Sequence, residues 1–130
     1  MTDTTRKLRL GPGQRLLVIQ APPDIEALLG PLPRGASFSS RDVAPDVTLL
    51  FAVDLATLER HLPAVARAAA GDRMLWVAYP KRAGGVASDL DRDGLTAASE
   101  RIAALTGVAL ISLDATWSAM RLRPSARYGR

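Results

Sequence analysis

A chain of 130 residues, 48% hydrophobic and 23% charged, has the size and composition of one globular domain. It contains no cysteine, which excludes disulfides, thiol catalysis and thiolate metal sites. No apolar run approaches the ~18 residues of a membrane span, so no membrane partner is expected and a cytoplasmic location follows by default. The formal net charge of +4 is concentrated at the two ends. Arg6, Lys7, Arg9 and Arg15 stand against Asp3 at the start; Arg121, Arg123, Arg127 and Arg130 meet no acid at the finish. Such arms can hold nucleic acid by neutralising phosphates. The few aromatic residues are not interleaved with them as a base-stacking surface requires. Two solvated termini are the simpler expectation.

Residues 1–10 read as a polar, basic, mobile lead-in. A single domain follows over 11–124, with a basic tail over 125–130. Gly11-Pro12-Gly13 is a turn signal. Residues 15–20 (RLLVIQ) read as the first strand, ended by Ala21-Pro22-Pro23-Asp24. A short helix is expected over about 23–29, with Ile25, Leu28 and Leu29 inward. Gly30-Pro31-Leu32-Pro33 closes it. A short edge strand is expected around Phe38.

The centre of the chain is a strand–helix–strand unit over residues 46–81. Val47 to Val53 form a nearly unbroken apolar run, which predicts a strand buried on both faces. Asp54 supplies a helix N-cap, and Glu59 adds negative charge near the helix start. Leu55, Leu58, Leu62, Val65 and Ala69 recur at helical spacing. Pro63 has no amide hydrogen and clashes with the preceding turn. It predicts either a kink or a second helix carrying Pro63 in its first turn. Gly71 is the expected stop. Met74 to Tyr79 form a second buried strand, parallel to the first through a right-handed crossover.

Residues 82–88 read as a flexible loop. A helix is expected over about 95–106, with Leu95, Ala98, Ile102 and Leu105 as its stripe and Gly107 as its end. Residues 108–113 read as a strand. Asp114-Ala115-Thr116 turns the chain, and residues 117–123 return antiparallel. Ser118, Met120 and Leu122 share one face of that last strand, Trp117 and Ala119 the other. Apolar residues on both faces place it inside the sheet.

The sharpest motif is Asp89-x-Asp91-x-Asp93-Gly94 with Glu100 closing it, which fits the calcium-loop template. An EF-hand needs an entering helix, yet Gly84-Gly85-Val86-Ala87-Ser88 precedes. The competing reading is that Asp91 or Asp93 caps the following helix. The second candidate is the edge where Tyr79-Pro80-Lys81-Arg82 leaves its strand. Ligands of open parallel sheets bind outside the carboxyl ends of strands. Tyr79, Lys81 and Arg82 are therefore the candidate ligand residues. Asp114 joins them only if its strand runs parallel to the second central one. His61, the single histidine, reads as a solvated helix residue with no metal partner. The sequence has no P-loop, no G-x-G-x-x-G and no G-x-S-x-G elbow.

The order of elements resembles a shortened class I methyltransferase-like Rossmann fold. More closely, the chain resembles a family of small uncharacterised bacterial proteins. The residues that carry this are Gly11-Pro12-Gly13-Gln14, Trp76-Val77-Ala78-Tyr79-Pro80-Lys81 and Trp117-Ser118-Ala119-Met120-Arg121-Leu122. The resemblance spans about residues 11–124 and brings no established activity with it. A methyltransferase of this fold has a glycine-rich turn after its first strand; here that place holds Gln20-Ala21-Pro22-Pro23. Asp42 is the one candidate for the acid that grips the cofactor ribose.

The expected fold is a Rossmann-like three-layer α/β domain, its sheet mostly parallel with an antiparallel C-terminal hairpin. No catalytic residue, metal ligand or cofactor is assigned. The leading functional expectation is a non-enzymatic binding or interaction protein, with a homodimer or an unknown protein as partner. The alternative is an enzyme or sensor that binds an anionic or nucleotide-like ligand at the loop after Lys81.

Overall fold

The computed structural model describes residues 3–40, 44–71 and 73–125. Among these residues six strands form one sheet: β1 (Arg15–Ile19), β2 (Ser37–Phe38), β3 (Val47–Phe51), β4 (Met74–Pro80), β5 (Leu105–Ser112) and β6 (Trp117–Pro124). Their spatial order is β2-β1-β3-β4-β6-β5. The first four are mutually parallel, and β6 is antiparallel to both β4 and β5. β5 therefore runs parallel to β4, with β6 between them. The fold is Rossmann-like, with an antiparallel C-terminal hairpin on a parallel sheet. The order reverses at β1, which has β2 on one side and β3 on the other. In such sheets this reversal and the carboxyl ends of the strands are where ligands bind.

Both faces of the sheet are covered, making three layers. On one face lie α3 (Leu55–Val65), a 3-10 turn (Ala66–Ala69) and α4 (Arg92–Ala103). Leu58, Leu62, Val65, Ala69, Leu95 and Ala98 pack there on Leu50, Leu75, Val77 and Leu122. On the other face lie α1 (Asp3–Lys7) and α2 (Ile25–Leu29). Leu8, Leu10, Leu28 and Leu29 pack there on Leu49, Phe51, Trp76 and Ala119. All five residues of β3 are buried, as a strand covered on both sides requires. Trp117 meets Phe51 edge to face, with ring centroids 5.0 Å apart.

The ends of α3 and α4 follow from their caps. Asp54 accepts hydrogen bonds from the Thr57 amide at 2.9 Å and the Thr57 hydroxyl at 2.7 Å. Asp91 accepts one from the Gly94 amide at 2.7 Å. Pro63 sits inside α3, which ends two residues later and tightens into the 3-10 turn. Among the described residues no second α-helix starts at Pro63. The missing amide weakens the last turn, and a 3-10 turn absorbs the defect.

Three expectations need correction. Residues 3–10 are not a mobile lead-in. They form α1 and then bury Leu8 and Leu10 in the core, 0% and 3% exposed. The indole N–H of Trp76 donates to the Leu8 carbonyl at 3.0 Å, which ties the segment to β4. The C-terminal helix ends at Ala103, not at Gly107. Ala104 turns left-handed with φ 54°, and β5 begins at Leu105. Leu105 satisfies the helical stripe and the strand face equally; pairing of residues 105–107 with 122–124 decides for the strand. The loop after Lys81 holds a 3-10 turn over Arg82–Gly84. Residues 126–130 lie outside the described residues, so the structure places only Ser125 of the basic tail. Among the described residues, no helix is long and apolar enough to cross a membrane.

The two capping carboxylates make stability pH-dependent. Hydrogen bonds from Thr57 hold the Asp54 carboxyl below the usual carboxylate range. The Gly94 amide, then Arg82, does the same for Asp91. A depressed folded pKa adds stability that is complete above the unfolded value and lost as pH falls through the folded one. Stability should therefore begin to fall below about pH 4. Asp54→Ala with Asp91→Ala should flatten that acid limb. Urea midpoints measured across pH 2–6 check this; an unchanged slope in the double variant would refute it.

Candidate functional site

The parallel relation of β4 and β5 brings their carboxyl ends to one edge, so Lys81 and Asp114 meet. The Lys81 ammonium donates to the Ser112 hydroxyl at 2.5 Å and to the Asp114 carbonyl at 2.6 Å. Its own amide donates to the Thr116 carbonyl at 2.7 Å. The Asp114 carboxylate accepts from the amides of Thr116 and Trp117, each at 2.8 Å. These bonds shape the β5–β6 turn and lock it to the end of β4. Gly84 lies against the same turn. A Cβ there would stand 2.9 Å from the Thr116 Cα, so only glycine allows this approach.

Lys81 thus holds the fold's own backbone. Lys81→Met, which keeps the aliphatic stem, should lower stability by about 1–2 kcal/mol through loss of two charge-assisted bonds at a partly exposed site. Thermal unfolding reads this directly. An unchanged Tm would show the ammonium to be free for another role.

Beside this turn is an open cavity of about 380 Å³, lined by Tyr79, Lys81, Arg82, Arg92, Leu110 and Ser118, among others. Tyr79 is 6% exposed. Burial pushes its phenol pKa up, with the Arg92 charge and the Ser118 side chain working the other way. Arg82 pairs with Asp91 at 3.1 Å and Arg92 with Asp93 at 3.5 Å, all at exposed positions. Such pairs contribute little stability and leave both guanidiniums at the cavity mouth. Three of the candidate residues, Tyr79, Lys81 and Arg82, therefore share one concavity, while the Asp114 carboxylate is spent on the turn.

The acids of the calcium template are used separately. Asp89 accepts from the Leu55 amide at 2.8 Å, and Asp91 caps α4. Glu100 accepts from the Ser125 hydroxyl at 2.8 Å. No group of three potential metal ligands exists among the described residues. Of the two candidate caps, Asp91 is the one that takes the role.

One pair was not legible in the sequence. Gln20 follows β1 with φ 59°, a left-handed backbone in a residue with a Cβ. Its side-chain nitrogen lies 2.9 Å from Nε2 of His61 on α3. The two meet beside the carboxyl ends of β1 and β3, where the strand order reverses. They are 41 residues apart, and no local pattern links them. Asp42, the candidate ribose acid, lies outside the described residues.

No protein-family description matches this sequence, and no curated protein does. Among solved structures, the chain is similar to an uncharacterised protein from Listeria monocytogenes serotype 4b, with a TM-score of 0.50 at 12% identity, over 96% of this chain and 68% of that one. It is also similar to a protein of the NADB-Rossmann superfamily from Streptococcus agalactiae, with a TM-score of 0.48 at 10% identity, over 95% and 68% of the two chains. At these identities the likeness to the Listeria protein concerns the fold alone, and it agrees with the topology above: this chain has a Rossmann-like α/β fold.

Proposed function

We propose that this chain is a non-enzymatic interaction protein on a degenerate methyltransferase-like Rossmann fold, and that it works at the edge formed by the carboxyl ends of β4 and β5 and the start of β6. The observation that carries this reading is how the polar groups of that edge are used. Lys81, Asp114 and Asp91 hold backbone groups of the protein itself. Beside them β5 displays apolar side chains, Val108 at 40% and Leu110 at 48% exposure. A proton-transfer site needs acids and bases free to face a substrate; an interaction surface needs apolar area rimmed by polar groups. The replacement of the glycine turn by Gln20-Ala21-Pro22-Pro23 supports loss of cofactor use. A second copy of the chain is the first partner to test, because β5 is an edge strand without charge or proline.

Native mass spectrometry of freshly purified protein tests the proposal. The expected result is a dimer, reduced to monomer by Leu110→Lys, with no small molecule retained. A monomer at every concentration would count against self-association. A retained small molecule would favour a second reading, in which the cavity at Tyr79, Arg82 and Arg92 holds an anionic ligand. Its support is that the cavity lies at the carboxyl ends of the strands, where the fold binds ligands.

A further inference from the structure

The opposite edge of the sheet, where β3 and β4 begin, holds a second concavity of about 340 Å³. Its walls include Leu17, Val65 and Ala68, and its charged members are Arg67 and Arg73. Arg67 belongs to the 3-10 turn after α3, and Arg73 to the residues entering β4. Neither guanidinium has an ion-pair or hydrogen-bond partner among the described residues. Thr48 of β3 also lines this concavity. It is 1% exposed, and its hydroxyl has no hydrogen-bond partner among the described residues.

That hydroxyl is unexplained by packing. Valine has the same shape and would fill the position without desolvating a polar group. Buried polar groups are normally satisfied, so an orphan beside a cavity points to something that completes it. The α3 turn that ends in Pro63-Ala64-Val65 and tightens into 3-10 geometry brings Arg67 to the same opening as Arg73.

We propose that this concavity is a binding site for a phosphate monoester. Two guanidiniums carry the charge that balances a phosphate dianion, and their planar forks match its oxygens. The Thr48 hydroxyl adds an uncharged donor at the floor. Leu17, Val65 and Ala68 offer an apolar wall to the organic part. A carboxylate would neutralise only one of the two arginines. The site is separate from the carboxyl edge and does not depend on the function proposed there.

Amide chemical-shift titration of the whole chain tests the site, with inorganic phosphate, phenyl phosphate and benzoate as probes. Both phosphates should shift the amides of Thr48, residues 65–69 and Arg73 in a saturable way. Phenyl phosphate should saturate first if the natural ligand is an organic phosphate; equal saturation would assign the site to free phosphate. Benzoate should bind more weakly than either. Arg67→Gln and Arg73→Gln should each weaken binding roughly tenfold or more, as loss of a charge-assisted contact does. Thr48→Val should raise Tm yet weaken binding. A purely structural threonine would raise Tm and leave binding unchanged, which would overturn its role. Absence of saturable shifts would overturn the site itself, as would shifts confined to the Tyr79 and Arg82 edge or shifts that survive in the double arginine variant.

Discussion

Leu8→Ala combined with Leu10→Ala is expected to destabilise the protein by about 5 kcal/mol, since a buried leucine cut to alanine costs roughly 2–5 kcal/mol. Both side chains are buried against the β1–β3–β4 face of the sheet. The loss combines the transfer free energy of the removed methyl groups with that of the hole left between α1, α2 and Trp76. Domains of this size are stable by about 5–15 kcal/mol, so the variant should be near the limit of folding. Urea denaturation of the single and double variants measures it. A midpoint unmoved by the double change would mean that residues 3–10 do not belong to the core. The exposed side of the same segment carries Arg6, Lys7 and Arg9, so charge reversal there should cost far less than loss of the two leucines.

Trp76→Ala is expected to cost about 3–5 kcal/mol, the usual range for a large buried aromatic. Trp76 is 1% exposed in the middle of β4. It fills the space under α1 and satisfies the Leu8 carbonyl. Trp76→Phe separates these roles. It keeps an aromatic ring but leaves the carbonyl unpaired, which should cost about 1–3 kcal/mol. The Leu8 and Trp76 variants touch the same space, so their effects should be non-additive by about 0.5–3 kcal/mol. Strict additivity would show that the N-terminal segment and β4 pack independently.

The reading of residues 1–10 shows where sequence patterning is weak. Leu8 and Leu10 are two isolated leucines among basic and polar residues, too few to show a period. Their burial depends on a concavity formed by β1, β4 and α2, which no local window contains. The end of α4 differs from its expected place for a related reason. Leu105 continues the spacing of Leu95, Ala98 and Ile102, but backbone pairing with residues 122–124 outweighs one more helical turn. The candidate site was partly legible. Its position at the end of β4 followed from the two buried strands and the crossover rule. The use of Lys81 to hold a turn did not, because that depends on which side of β6 the strand β5 takes.

By itself the sequence determined the parallel β3–α3–β4 unit, the helix cap at Asp54, a cap at Asp91 or Asp93, and the antiparallel hairpin with β6 inside the sheet. Each rests on a local signal: an unbroken apolar run, a carboxylate before a helical stripe, or apolar residues on both faces of a strand. Only the tertiary structure decided that Leu8 and Leu10 are core, that Lys81 meets Asp114, that Gln20 meets His61, and that Thr48 shares a concavity with Arg67 and Arg73. The physical reason is the same in each case. These contacts join residues far apart in the chain, and their partners are chosen by strand order and packing, which act only once the whole sheet has formed.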